Sequence, residues 1–96
     1  MSDYQNGRFM EIKYSSNALQ DIEFWKKTGT ESELRKISSL IQSIEKTPFQ
    51  GIGKPEPLKY ELSGQWSRRI NRKDRIIYEI TNYIEILSLR GHYDDK

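Results

Sequence analysis

The chain is constrained most by ten residues near its middle, PFQGIGKPEP from Pro48 to Pro57, which hold three prolines and two glycines. Proline fixes φ, removes a backbone donor and clashes with a preceding helical turn, so no helix passes through this stretch. The elements before and after it must therefore form separately. Glu56, between Pro55 and Pro57, sits on stiff backbone, because each proline also restricts the residue before it. From Thr47 to Arg75 the chain then gathers Arg68, Arg69 and Arg75 with Lys54 and Lys59. A carboxylate held beside guanidinium groups suits phosphate chemistry, since the planar fork of arginine matches phosphate oxygens.

Ahead of the break, Met10, Ile12 and Tyr14 alternate with Glu11 and Lys13, the period of a half-buried strand. Ser15, Ser16 and Asn17 offer N-caps, and Ala18, Leu19, Ile22 and Trp25 form one helical stripe that Gly29 ends. Thr30, Glu31 and Glu33 open a second helix, in which Leu34, Ile37, Leu40, Ile41 and Ile44 recur at steps of three and four until Pro48. Beyond the break, Leu58 to Leu62, Gln65 to Ile70, Arg75 to Thr81 and Ile84 to Arg90 read as strands joined by short hairpin connections. The order predicts an α+β domain: an N-terminal strand, a two-helix hairpin, then an antiparallel sheet of three to four strands covered on one face by the helices.

At 96 residues there is room for one compact domain with a modest core. We expect it to span 10–93, with 1–9 a polar extension, Met10 a candidate start and 94–96 a short tail. Without cysteine, neither a disulfide framework nor a thiol nucleophile is available. No apolar run approaches the roughly 18–20 residues that span a bilayer and no signal-peptide core is present, so a soluble, cytoplasmic protein is expected. Net charge is only +2, but residues 48–75 carry seven basic against three acidic side chains. That patch suits a polyanionic partner such as RNA.

Side-chain alternation says which residues converge. Ile76, Tyr78 and Ile80 share one face of their strand, leaving Arg75 on the other, and Trp66, Arg68 and Ile70 share a face that leaves Arg69 opposite. Arg69, Arg75 and His92, the sole histidine, are thus expected on one open face, with Arg68 on the helix side. Leu87 and Leu89 facing the helices would put Ile84 and Ile86 on the open face, an imperfect parity. Taken singly, these residues also suit ordinary roles. Glu56 fits a solvated loop carboxylate, His92 an exposed histidine, and the arginines ion pairs with Glu61, Asp74 or Glu79. Trp25 and Trp66 suit core packing better than base stacking.

Three strings read together, TPFQGIGKPEPLKYELSGQWSRRI, DRIIYEI and the ending LRGHY, resemble the YoeB/Txe family of RelE-type toxins from bacterial toxin–antitoxin modules. The resemblance covers roughly Met10 to Tyr93. It implies an α+β fold of the microbial-ribonuclease type and a metal-independent, cofactor-free endoribonuclease that cuts messenger RNA in the ribosomal A site. The family's general base falls on Glu56, its phosphate-binding arginines on Arg69 and Arg75, its general acid on His92 and a supporting aromatic on Tyr93. Lys54, Lys59 and Arg68 match basic positions expected to contact RNA. The implied partners are a YefM/Axe-like antitoxin, the ribosome with its messenger RNA, operator DNA through the antitoxin complex alone, and a second copy in a homodimer. Two other classes compete. One is a ParE-like poison of DNA gyrase, against which the joint presence of Glu56 and His92 speaks; the other is a basic RNA- or operator-binding module in which those residues are inert.

Overall fold

The computed structural model describes residues 10–91. Strand β1 (Ile12–Tyr14) turns directly into helix α1 (Ser16–Thr28) at Ser15, whose Oγ accepts the Ala18 N–H at 3.0 Å while donating to the Leu87 carbonyl at 2.9 Å. One serine thus caps a helix and ties it to the sheet. Helix α1 ends at Gly29, whose N–H closes the last turn onto the Trp25 carbonyl. Helix α2 (Glu31–Lys46) begins on a complete capping box: Thr30 Oγ1 accepts from the Glu33 N–H, and the Glu33 carboxylate accepts from the Thr30 N–H. Two of the first-turn donors are satisfied by this reciprocal pair.

Strands β2 (Glu56–Pro57), β3 (Gln65–Arg69), β4 (Arg75–Ile80) and β5 (Ile84–Ser88) complete a five-stranded sheet in the order β1-β5-β4-β3-β2. The four later strands pair antiparallel, and β1 adds parallel to β5, with Ile12 opposite Ile84. Both helices lie on one face. Ala18 and Trp25 of α1 and Ile37, Leu40 and Ile44 of α2 pack on Ile76, Tyr78, Ile84, Ile86 and Leu89 in a single buried cluster. On the other face of β2, β3 and β4, Glu56 and Arg69 are exposed, Arg75 is half-buried and Ser67 is buried. Among the described residues no helix is long and apolar enough to cross a membrane.

The structure departs from the periodicity reading in three places, each with a local cause. The strand expected over Leu58–Leu62 is a 3₁₀ turn from Tyr60 to Leu62, because Tyr60 takes φ +59 and breaks the extended run; the pairing falls instead on Glu56–Pro57 and the Leu58 N–H. Proline is tolerated there because β2 is an edge strand. Leu19, placed on the α1 stripe, is exposed, and the buried position one turn before Trp25 is Asp21. The parity conflict in β5 is removed by a bulge. Ser88 pairs with Ile77 but Ile86 pairs with Tyr78, so Leu87 is the extra residue, and Ile84, Ile86 and Leu89 all reach the core.

Candidate active site

The open face is built by register. Glu56 on β2 lies opposite Ser67 on β3, and Arg69 on β3 lies opposite Arg75 on β4, so all four side chains leave the sheet on the side away from the helices. Arg75 reaches back across β3: its Nη1 stands 3.2 Å from Ser67 Oγ and 3.4 Å from Glu56 Oε1. The ion pair is long, and the Glu56 side chain is 52% exposed, so solvent screens it and the carboxylate is held without being locked. Arg69 is exposed and has no ion pair among the described residues. Two like charges directly opposite on adjacent strands destabilise a sheet. Such a pair, with a carboxylate alongside, has the chemistry to receive an anion next to a group able to take a proton.

Arg68 corrects the expectation that it contacts RNA. It points to the helix side, as alternation requires, and is fully buried. All five of its donors are used: Nε on the Tyr78 hydroxyl, Nη1 on Ser43 Oγ and the Ile52 carbonyl, Nη2 on the carbonyls of Thr47 and Gln50. Tyr78 in turn donates to the Pro48 carbonyl at 2.8 Å. The Pro/Gly stretch is therefore wrapped around a buried cation. Gly51, at φ +124, touches this centre closely enough that a Cβ would collide with Ser43 Oγ. Gly53, at φ +83, would drive a Cβ into Leu40, and its carbonyl accepts the Arg69 N–H at 2.7 Å. Arg68 thus shapes the loop that delivers Glu56. Lys54 and Lys59, the other two residues expected on RNA, are exposed on either side of β2.

His92 and Tyr93 lie outside the described residues. The chain just before them is fixed by contacts that spacing did not reveal. Past the end of β5, both polar groups of Leu89 are taken by α1: its N–H by the buried Asp21 carboxylate at 2.8 Å, its carbonyl by Trp25 Nε1 at 2.8 Å. Gly91 is held at the site itself, its N–H donating to Asp74 Oδ1 at 2.6 Å and its carbonyl accepting the Arg75 N–H at 3.1 Å. Asp74, nearly buried, is set by the turn in which Asn71 Oδ1 accepts its N–H. Ser67 and Asp21 were not singled out from sequence, and Asp74 was named only as an ion-pair partner for the arginines; an Asp on an otherwise apolar helical stripe, in the case of Asp21, was the available signal. The two tryptophans pack as expected: Trp25 is buried in the core, and Trp66 stands against Phe49 with ring centroids 5.0 Å apart.

Comparison with known proteins identifies the family. The family model for the YoeB-like toxin of bacterial type II toxin–antitoxin systems matches residues 14–93. The toxin YoeB of Escherichia coli strain K12 is 41% identical over 85 residues, covering 88% of this chain and 100% of that protein. Among solved structures, a YoeB/ParE toxin from Agrobacterium tumefaciens superposes with a TM-score of 0.82 at 38% identity, covering 88% of this chain and 100% of that one. The YoeB–YefM complex from Staphylococcus aureus gives 0.76 at 37% identity, covering 88% and 98%. Sequence and fold point the same way, and the chain belongs to the family of YoeB-like toxins of bacterial type II toxin–antitoxin systems.

Proposed function

We propose that this toxin is a ribosome-dependent endoribonuclease that cuts messenger RNA in the A site and so stops translation. The observation that carries the reading is the contact of Arg75 with both Glu56 and Ser67, with Arg69 directly opposite on the same open face. RNA supplies its own nucleophile, the 2′-hydroxyl next to the scissile phosphate, so the protein must move two protons and stabilise charge. Glu56 takes the 2′-OH proton as the oxygen attacks phosphorus. Arg69 and Arg75 face the non-bridging oxygens as negative charge grows on them, Arg75 exchanging its screened contact with Glu56 for the phosphate. His92 gives a proton to the departing 5′-oxygen, and Tyr93 supports the bound RNA. The products are a 2′,3′-cyclic phosphate, which water can open to a 3′-phosphate, and a 5′-hydroxyl. No step calls for a metal ion or cofactor.

The partner that neutralises this activity is an antitoxin of the YefM kind, by analogy with the Staphylococcus aureus complex. It covers the open face, and through it the pair reaches operator DNA.

The test is a purified translation system in which messenger RNA ends are mapped after adding the unaltered protein, Glu56→Ala or His92→Gln. Cuts confined to the A-site codon with 5′-hydroxyl ends are expected from the unaltered protein. Each variant should lose roughly 10²–10⁴-fold in rate, the usual contribution of one positioned acid or base. Intact messenger RNA with the unaltered protein overturns the reading, and a gyrase cleavage assay then follows.

A further inference from the structure

Among the described residues, two that are not glycine take a positive φ: Lys54 at φ 54 and Tyr60 at φ 59. They bracket β2, the strand that carries Glu56. Both stand in the left-handed region that residues with a Cβ, and bulky ones above all, enter only when the surroundings impose it. At Tyr60 the surroundings are clear. Leu58 is buried and its N–H donates to the Gln65 carbonyl at 2.8 Å, while the Leu62 and Ser63 N–H groups close the turn onto the Lys59 and Tyr60 carbonyls at 3.1 and 3.0 Å.

Among the described residues the side chain gains no contact from this strain. Tyr60 is 76% exposed, and its ring and hydroxyl make no hydrogen bond or aromatic pair among the described residues. Folding alone would favour glycine there. Strain that persists without a packing return points to function.

We propose that Tyr60 is a stacking platform for an unpaired nucleobase of the RNA engaged by the toxin. The proposal rests on the ribonuclease reading above and adds a contact to it. A flat exposed ring binds a base through its π-face without reading its identity. Lys59 and Lys54, both exposed, supply positive charge for the flanking phosphates; within 54–61 the acids are Glu56, which faces Arg75, and Glu61. The position also allows it: Tyr60 follows Glu56 by four residues, in the turn after edge strand β2, so its Cα lies within about 14 Å of that of Glu56, a separation that a short run of nucleotides spans.

The experiment compares the unaltered toxin with Tyr60→Gly and Tyr60→Phe for melting temperature, for A-site cleavage by purified ribosomes, and for binding to the purified antitoxin. Tyr60→Gly is expected to melt a few degrees higher, because the strain is relieved, and to need roughly 5- to 100-fold more ribosome for half-maximal cleavage, the loss falling on KM rather than kcat. Tyr60→Phe, which keeps the ring, should recover most of that loss. Cleavage by Tyr60→Gly at an unchanged KM overturns the proposal, as does a lowered melting temperature, which would make the ring structural. A loss confined to antitoxin binding assigns the ring to a protein contact instead and also overturns it. If the unaltered toxin leaves messenger RNA intact, the ribonuclease reading fails and this contact falls with it, a result distinct from the other three.

Discussion

Arg68 and Arg69 are neighbours with the same charge, and they do opposite work because a strand sends successive side chains to opposite faces. Arg69 stands on the open face beside Arg75, whereas Arg68 is enclosed by acceptors and has no carboxylate among its contacts with the described residues. Its charge is met by dipoles instead, three loop carbonyls and two hydroxyls. One of the carbonyls belongs to Thr47 at the C-terminal end of α2, where the helix dipole is negative. Alternation alone assigned the two arginines to their faces. That Ser43, Thr47, Gln50 and Ile52 wait on the helix side was not legible, since those contacts cross 16 to 25 residues of sequence. Lysine offers three donors to the five acceptors and methionine none. Arg68→Met should therefore destabilise by about 3–5 kcal/mol, and Arg68→Lys by somewhat less, in urea unfolding. A surface RNA contact would instead leave stability unchanged and alter the salt dependence of binding. Tyr78, bonded to Arg68, has its pKa raised above the ordinary 10.0 by burial, a shift that the neighbouring arginine partly offsets; burial raises that of Tyr14 too, helped by Glu45. Above pH 10 the unfolded chain loses these protons while the folded one keeps them, so stability falls with rising pH. Equilibrium unfolding should give a stability that is full below about pH 10 and declines as both tyrosines titrate, and Tyr78→Phe should make that decline shallower.

Elements were legible where a period ran long enough and illegible where a single residue changed the rule. The start of α2 is written in Thr30 and Glu33, and in the structure the two close a capping box. Glu33 does more than close the helix, because its other carboxylate oxygen accepts from Asn71 Nδ2 at 3.2 Å and so ties the start of α2 to the β3–β4 turn. Thr30→Ala should cost about 1 kcal/mol in thermal or urea unfolding. Glu33→Ala should cost more than Thr30→Ala, since it removes a cap and a long-range tie together; equal losses would mean that the Asn71 contact contributes nothing. Strand β5 could not be assigned a consistent inner face from alternation, and the bulge at Leu87 is the reason. The carbonyl of that extra residue is not wasted: Ser15 Oγ and Asn17 Nδ2 both donate to it, which locks the first turn of α1 against the sheet. The parallel pairing of β1 with β5 was likewise outside what spacing can tell, because an isolated strand signal carries no partner or direction.

At the scale of the whole molecule the sheet separates two tasks. Its helix side holds the buried cluster and the Arg68 centre, and its open side holds Glu56, Ser67, Arg69 and Arg75. Glu56, Arg69 and Arg75 were legible as a set because a long ordered string carried them. Ser67, Asp21 and the actual partner of Asp74 were not, since each acts through a register or a tertiary hydrogen bond that no short motif encodes. The separation has a measurable consequence at Arg69. Its guanidinium has no ion pair among the described residues and stands opposite Arg75, so the folded toxin bears a repulsion that nothing in its core requires. Replacing it removes that repulsion and no buried contact. Arg69→Gln is therefore expected to raise stability slightly, by about 0.2–1 kcal/mol at low salt, with the gain shrinking as salt screens the pair. The same change withdraws one of the two charges proposed to meet the phosphate, so A-site cleavage should fall by roughly 10²-fold or more. Unfolding curves at two salt concentrations, set beside cleavage rates, decide the matter. A stability loss above about 1 kcal/mol would place Arg69 in the fold rather than the site, because exposed substitutions seldom cost that much.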